Sequence, residues 1–252
     1  MPLFQGLATG ATLDLAVTQT PDVIIPAASR LFWLDARSKT IESGVDALVD
    51  LFGLNNVVNA TDAAQPAWSD SGGPFARPVV VFDGTNDRLD KAAAATVGTN
   101  DFDLFVLLRI DSWIDGAEAV TLQDAGGTNY LIFRTLAGPN RWVAYTNQAA
   151  IRPSSTTAAA AGSYVLARVR RTNPGGGNLT VGISINGEAE TVLTATGTIA
   201  DVTAINLGGG TFTSMSFVAA VCAKGTLSVA QRIALTRYFN REFGQSFAEP
   251  TA

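Results

Sequence analysis

The chain has 252 residues, with 17 Lys and Arg against 22 Asp and Glu, one cysteine and no histidine. A chain of this length buries roughly 70 to 75% of its unfolded surface, so it needs neither disulfide nor metal for stability. Its net charge of −5 argues against a nucleic-acid partner, which concentrated Lys and Arg would serve. The lack of histidine excludes every His-based triad, general base or zinc site. No run of eighteen apolar residues is present to cross a membrane as a helix, and the start Met-Pro-Leu-Phe-Gln-Gly has no basic segment leading into a long apolar one, so neither membrane insertion nor a standard export signal is expected.

Residues 1–28 hold three prolines, many Ala and Thr, and little periodicity, which predicts an extended arm. Its apolar side chains, Leu3, Phe4, Leu7, Ile24 and Ile25 among them, are too many for a freely solvated tail. They predict docking onto a neighbouring subunit, either identical or another protein of the same particle. The domain proper is expected over 29–246, with a tail at 247–252.

Residues 31–35 (Leu-Phe-Trp-Leu-Asp) predict a first buried strand, 45–51 a short helix and 55–65 a surface excursion. Residues 78–82 predict a core strand stopped by a turn of Asp and Asn residues at 83–87. Residues 102–110 are apolar on both faces and belong in the middle of a sheet. Strands at 119–123, 130–135, 142–146 and 164–171 follow at the short spacing of an antiparallel sandwich. On the last of these, Arg168 and Arg170 share a face that is expected to meet solvent at a sheet edge.

Leu179, Val181, Ile183 and Ile185 alternate with Thr180, Gly182, Ser184 and Asn186, the period-2 pattern of a strand with one buried face. Asn186-Gly187 tolerates the positive φ angles of a type I′ turn, which predicts a tight hairpin into a strand at 190–193 and places Glu188 and Glu190 as solvated edge charges. Cys222 sits in the apolar run 217–223 and is expected to be an inert core thiol. A final helix has Ser228 as N-cap, Gln231 completing a capping box and Gly244 as its stop. Leu235, Tyr238, Phe239 and Phe243 form its apolar stripe, with Arg237, Asn240 and Arg241 facing away.

Four segments carry a family resemblance: Trp33-Leu34-Asp35-Ala36; the stretch 77–89, Arg-Pro-Val-Val-Val-Phe-Asp-Gly-Thr-Asn-Asp-Arg-Leu; Ile185-Asn186-Gly187; and Leu227-Ser228 opening a helix that ends Phe243-Gly244. The chain resembles the concanavalin A-like lectin/glucanase superfamily in its laminin-G-like form, common in bacterial surface proteins and phage virion proteins. The resemblance implies an all-β, two-sheet antiparallel jelly roll. It says less about chemistry, because the superfamily holds glycan-binding modules, glycosidases and structural domains. Its glucanases carry a Glu-x-Asp-x-x-Glu pattern on one strand, and this chain lacks it.

The resulting expectation is a structural or binding module without catalytic activity, part of a phage or phage-like virion (capsid decoration, head fibre or tail component) that meets host-surface glycans. The alternatives are a lectin-like protein of the bacterial surface and, below that, a polysaccharide-degrading enzyme. Tyr145, Asn147, Gln148 and Arg152, with Trp68, form the candidate glycan surface, an aromatic platform beside planar hydrogen-bonding groups. Asp83, Asn86, Asp87 and Asp90 offer hard oxygen ligands that would suit calcium, against the plainer reading that they cap their own turn. No other cofactor is expected.

Overall fold

The computed structural model describes residues 19–41, 43–59, 62–92, 101–112, 115–124, 130–136, 141–146, 152–158, 160–197, 202–208 and 214–251. Within these the chain forms α1 (Pro21–Ile24), then β1 (Arg30–Asp35), β2 (Lys39–Ile41), β3 (Val45–Leu48), β4 (Val57–Val58), β5 (Ala67–Ser69), β6 (Val79–Asp83), β7 (Leu89–Ala92), β8 (Phe102–Ile110) and β9 (Glu118–Gln123). It continues with β10 (Tyr130–Leu136), β11 (Arg141–Thr146), β12 (Ser154–Ala158), β13 (Tyr164–Gly175), β14 (Asn178–Ile185), β15 (Thr191–Thr196), β16 (Ala204–Leu207), β17 (Ser214–Lys224) and α2 (Val229–Phe243).

One sheet of eight strands runs β15-β14-β13-β8-β17-β6-β5, with β1 also paired to β17; the other, of nine, runs β12-β11-β10-β9-β16-β7-β4-β3-β2. The pairings are antiparallel, for example Val169↔Leu104 and Phe133↔Ala144. This is the expected all-β sandwich. Its inner core joins Phe32, Phe82, Leu104 and Val181 from one sheet with Leu89, Leu122, Phe133 and Trp142 from the other. The rings of Phe133 and Trp142 stack at 4.8 Å.

A second apolar layer lies on the outer face of the eight-stranded sheet. There Leu235, Tyr238, Phe239 and Phe243 of α2 cover Trp33, Phe105, Leu107, Leu166 and Val221. The helix is punctuated as its sequence predicts. Ser228 and Gln231 form the capping box, and Gly244 closes the C-terminus at φ 58°. Ile24 and Ile25 are buried in this same layer, and Gln231 Nε2 donates to the Ile24 carbonyl. Those two arm residues are therefore spent on the domain's own core; Leu3, Phe4 and Leu7 lie outside the described residues. Phe247 of the tail is buried there too. With both faces covered, β8 is buried from Phe102 to Leu108, which explains the apolar run at 104–108, while Asp103 is buried with Arg168 as its ion partner. Cys222 is fully buried on β17, and burial pushes its thiol pKa well up.

Several expectations fail, each for a physical reason. Residues 45–48 form strand β3, not a helix: Ala47↔Val58 and Lys39↔Leu48 pair it on both sides, and tertiary pairing outweighs a short local pattern. Strand β14 is buried on both faces instead of half-exposed. Its polar side is satisfied in place, Thr180 Oγ1 lying 2.6 Å from Thr194 Oγ1 and Ser184 Oγ donating to the Glu188 carbonyl at 2.7 Å.

The Asn186-Gly187 turn forms, with φ 54° and 81° and Glu188 N–H donating to the Ile185 carbonyl at 3.0 Å. The hairpin is nevertheless not tight, because β15 joins β14 only from Ile183↔Thr191 onward. Glu188 is drawn away to accept from Thr157 N–H at 2.6 Å and Thr156 N–H at 3.1 Å, so it is no solvated edge charge.

Arg168 and Arg170 do not face open solvent either. Strand β13 is internal to its sheet, and Arg168, 5% exposed, donates Nε to Asp103 Oδ1 at 2.7 Å. Arg170 grips both oxygens of Glu190 at 2.8 and 2.9 Å. Gly182 makes room for this, since a Cβ there would run into the Glu190 carboxyl.

Candidate outer-face binding site

The inward residues of the nine-stranded sheet (Leu89, Val120, Leu122, Phe133, Trp142, Ala144, Ile205 and Leu207) all belong to the core. Strand alternation sends their neighbours to the opposite face. One outward row holds Val58, Asp90, Asn206 and Thr121 in register, with Tyr145 in the same row on β11, across β10. The next runs Glu118↔Arg134↔Val143↔Ser154. Among the described residues no helix covers this face, so it carries Asp, Asn, Thr, Glu, Arg and Tyr.

Tyr145 is partly exposed, and two guanidinium carbons lie over its ring, those of Arg134 and Arg152, each 4.5 Å from the centroid. Such contacts hold a ring and its cations in fixed relation, at about 0.5 to 1 kcal/mol each when exposed. Glu118 pairs in register with Arg134 and accepts from Thr121 Oγ1 at 3.3 Å. Burial pushes the Glu118 carboxyl above its usual range, with the Thr121 hydroxyl and the Arg134 charge pulling it partly back. Asp90, with Arg88 Nε at 2.9 Å, is likewise raised by burial.

Of the glycan candidates chosen from sequence, the structure brings Tyr145 and Arg152 together. Asn147 and Gln148 lie outside the described residues. Trp68 sits on β5, at the edge of the other sheet, packed on the core with Lys39 Nζ 3.8 Å from its ring centroid, and so takes no part in the Tyr145 surface. Sequence reasoning missed Glu118, Thr121, Arg134 and Asn206. The signal was there in the alternation of Phe133 and Thr135 with Arg134, and of Ile205 and Leu207 with Asn206.

The calcium candidates do not converge. Asp83 Oδ1 accepts from Thr85 N–H at 2.7 Å, Asp87 Oδ2 from Asp83 N–H at 2.7 Å, and Asn86 donates to the Ala63 carbonyl. The two Asp bonds cap their own turn and the Asn86 bond ties it to the 62–64 segment, and burial raises the Asp87 carboxyl, the opposite of what a cation ligand needs. Among the described residues no cluster of three or more Asp, Glu, His or Cys could hold a metal.

A cavity of about 440 Å³ lies on the other sheet, between α2, the tail and β13–β14, and Arg168, Arg170, Glu190 and Arg232 help line it. Arg168 and Arg170 are both paired with Glu190, and Arg168 also with Asp103.

No family model and no curated protein matches the chain. Solved structures do. Trypanosoma rangeli sialidase in complex with sialic acid aligns at a TM-score of 0.56 and 13% identity, over 86% of this chain and 34% of that one. Domain 4 of AbnA, a GH43 extracellular arabinanase from Geobacillus stearothermophilus, in complex with arabinotriose, aligns at 0.59 and 12%, over 83% of this chain and 98% of that one. An arabinofuranosidase complexed with arabinofuranosyl-α-1,2-xylobiose aligns at 0.53 and 14%, over 77% and 50%. The chain thus spans about a third of the sialidase but nearly all of the arabinanase domain.

At these identities the likeness shows the fold, an antiparallel β-sandwich. It also corrects the expectation of a virion module that is not an enzyme. The sandwiches this chain is similar to belong to carbohydrate-active proteins, and none of the three is a virion component.

Proposed function

We propose that this domain, a concanavalin A-like sandwich, recognises a glycan on the outer face of its nine-stranded sheet. The observation that carries the reading is Tyr145, a partly exposed ring with the guanidiniums of Arg134 and Arg152 each 4.5 Å from its centroid, on a face whose other outward groups include Glu118, Asn206 and Asp90. A sugar ring needs such a pairing, an apolar platform for its C–H face and planar polar groups for its hydroxyls. The likeness to a domain solved with arabinotriose supports it.

Isothermal titration against a panel of plant, algal and animal oligosaccharides tests the reading. Binding that Tyr145→Ala removes, with an unchanged melting temperature, is the expected result. Binding by none of the panel, or binding indifferent to Tyr145, rejects it.

Cleavage on the same face is a second reading, supported by Glu118 and Asp90. Glycoside hydrolysis uses two carboxyl groups, one raised so that it can donate a proton; Glu118 and Asp90 lie on this face, on β9 and β7 with β16 between them, and burial raises both. Release of reducing ends that Glu118→Gln and Asp90→Asn each abolish would establish it; an unchanged oligosaccharide would remove it.

A further inference from the structure

The charge on the Tyr145 end of this face identifies the kind of glycan. Although the chain is acidic overall, residues 125–187 contain six arginines and no Asp, Glu or Lys. Three of the six, Arg168, Arg170 and Arg171, lie on β13 of the other sheet. Arg134 and Arg141 are on β10 and β11, and Arg152 directly precedes β12. Those three strands form one end of the nine-stranded sheet. Facing them from β9 is Glu118, with Asp124 just beyond the strand end, and at β12 the carboxylate of Glu188 is already taken up by Thr156 and Thr157.

The guanidiniums are only partly used. Arg141 Nη1 donates to the Ser155 carbonyl at 3.1 Å. Arg134 Nε is buried and has no hydrogen-bond partner. A buried donor left unpaired costs free energy that a ligand acceptor would recover. Arg134 and Arg152 share one aromatic ring, which holds two like charges near each other, an arrangement that an anion between or beside them relieves. A planar carboxylate matches the guanidinium fork.

From this we infer that the outer face selects carboxylate-bearing glycans, with the sugar ring on Tyr145 and its carboxylate on Arg134 and Arg152. The inference rests on the glycan reading above and narrows it to uronic or sialic acids.

The test compares glycans that differ only in the acid, on the full chain at fixed ionic strength. One pair is oligogalacturonate against its fully methyl-esterified form; the other is sialyllactose against lactose. At least one acid should bind ten-fold or more tightly than its neutral counterpart, and the pair showing the preference identifies the source. Arg152→Ala, at an exposed position, should cancel most of that preference while leaving the melting temperature in place, and Arg134→Lys should weaken it. Equal affinity within both pairs overturns the acidic specificity and leaves glycan binding intact. Binding of no member of either pair, nor of the wider panel, rejects both readings. A preference for acid that survives Arg152→Ala and Arg134→Lys places recognition elsewhere and overturns the assignment.

Discussion

The two sheets share one core yet differ completely on their outer faces. Outside the eight-stranded sheet, Trp33, Phe105, Leu107 and Val221 meet the apolar stripe of α2, and the polar groups at the margin, Asp103, Arg168 and Glu190, are paired within the structure. Outside the nine-stranded sheet, the same geometric positions carry Asp90, Glu118, Arg134 and Asn206. A roofed sheet reads as continuous apolar runs, whereas an open one keeps alternation. The roof serves stability; the uncovered face carries the polar groups on which the proposed glycan binding rests.

Removing a piece of the roof gives the largest expected effect. Phe239→Ala empties a fully buried aromatic site and should cost about 3 to 5 kcal/mol in chemical denaturation. If that variant unfolds at the parent's denaturant midpoint, α2 is an appendage and the two-face contrast collapses. Arg168→Ala should be of the same order, about 3 to 5 kcal/mol, because it leaves Asp103 buried without its ion partner. Replacing both Arg168 and Asp103 by leucine should recover much of the loss. Recovery of nothing would show that the pair is held for geometry and not for charge balance.

The helix cap comes next. Ser228→Ala removes an acceptor of the first-turn N–H groups and should cost about 1 kcal/mol. A loss below a few tenths would mean that packing alone fixes the start of α2.

These contrasts also explain what could be read in the sequence. The strands with inward alternation, the capping box at Ser228 and Gln231 and the buried thiol were legible because each rests on residues within a few positions of one another. The burial of Arg168 and Glu190 was not, since their partners are fixed by packing: Asp103 lies 65 residues from Arg168, and the roof over them is built by a helix at the far end of the chain. The same limit explains β3, whose partners come from 39–41 and 57–58. At the site, Tyr145 and Arg152 could be picked out as near neighbours. Local alternation puts Arg134 and Asn206 on the outer face, but that they, with Thr121, share a face with Tyr145 follows only from cross-strand register.

The smallest effect tests whether the open face is as polar and partly shielded as described. Burial raises the Glu118 carboxyl, so the folded protein holds that proton more tightly than the unfolded chain does. The sign follows from linkage. The stabilisation from protonated Glu118 is fully present below the unfolded glutamate pKa of about 4.3 and is lost as pH rises through the raised folded value. Glu118→Gln, which cannot titrate, should therefore gain in stability relative to the parent as pH rises from 4 to 7, measured as the difference in urea midpoint at each pH. A difference that stays constant across that range would mean that Glu118 is as well solvated folded as unfolded. The outer face would then be a flat, fully hydrated surface, and the fixed arrangement of Arg134 over Tyr145 would have no partly shielded setting in which to act.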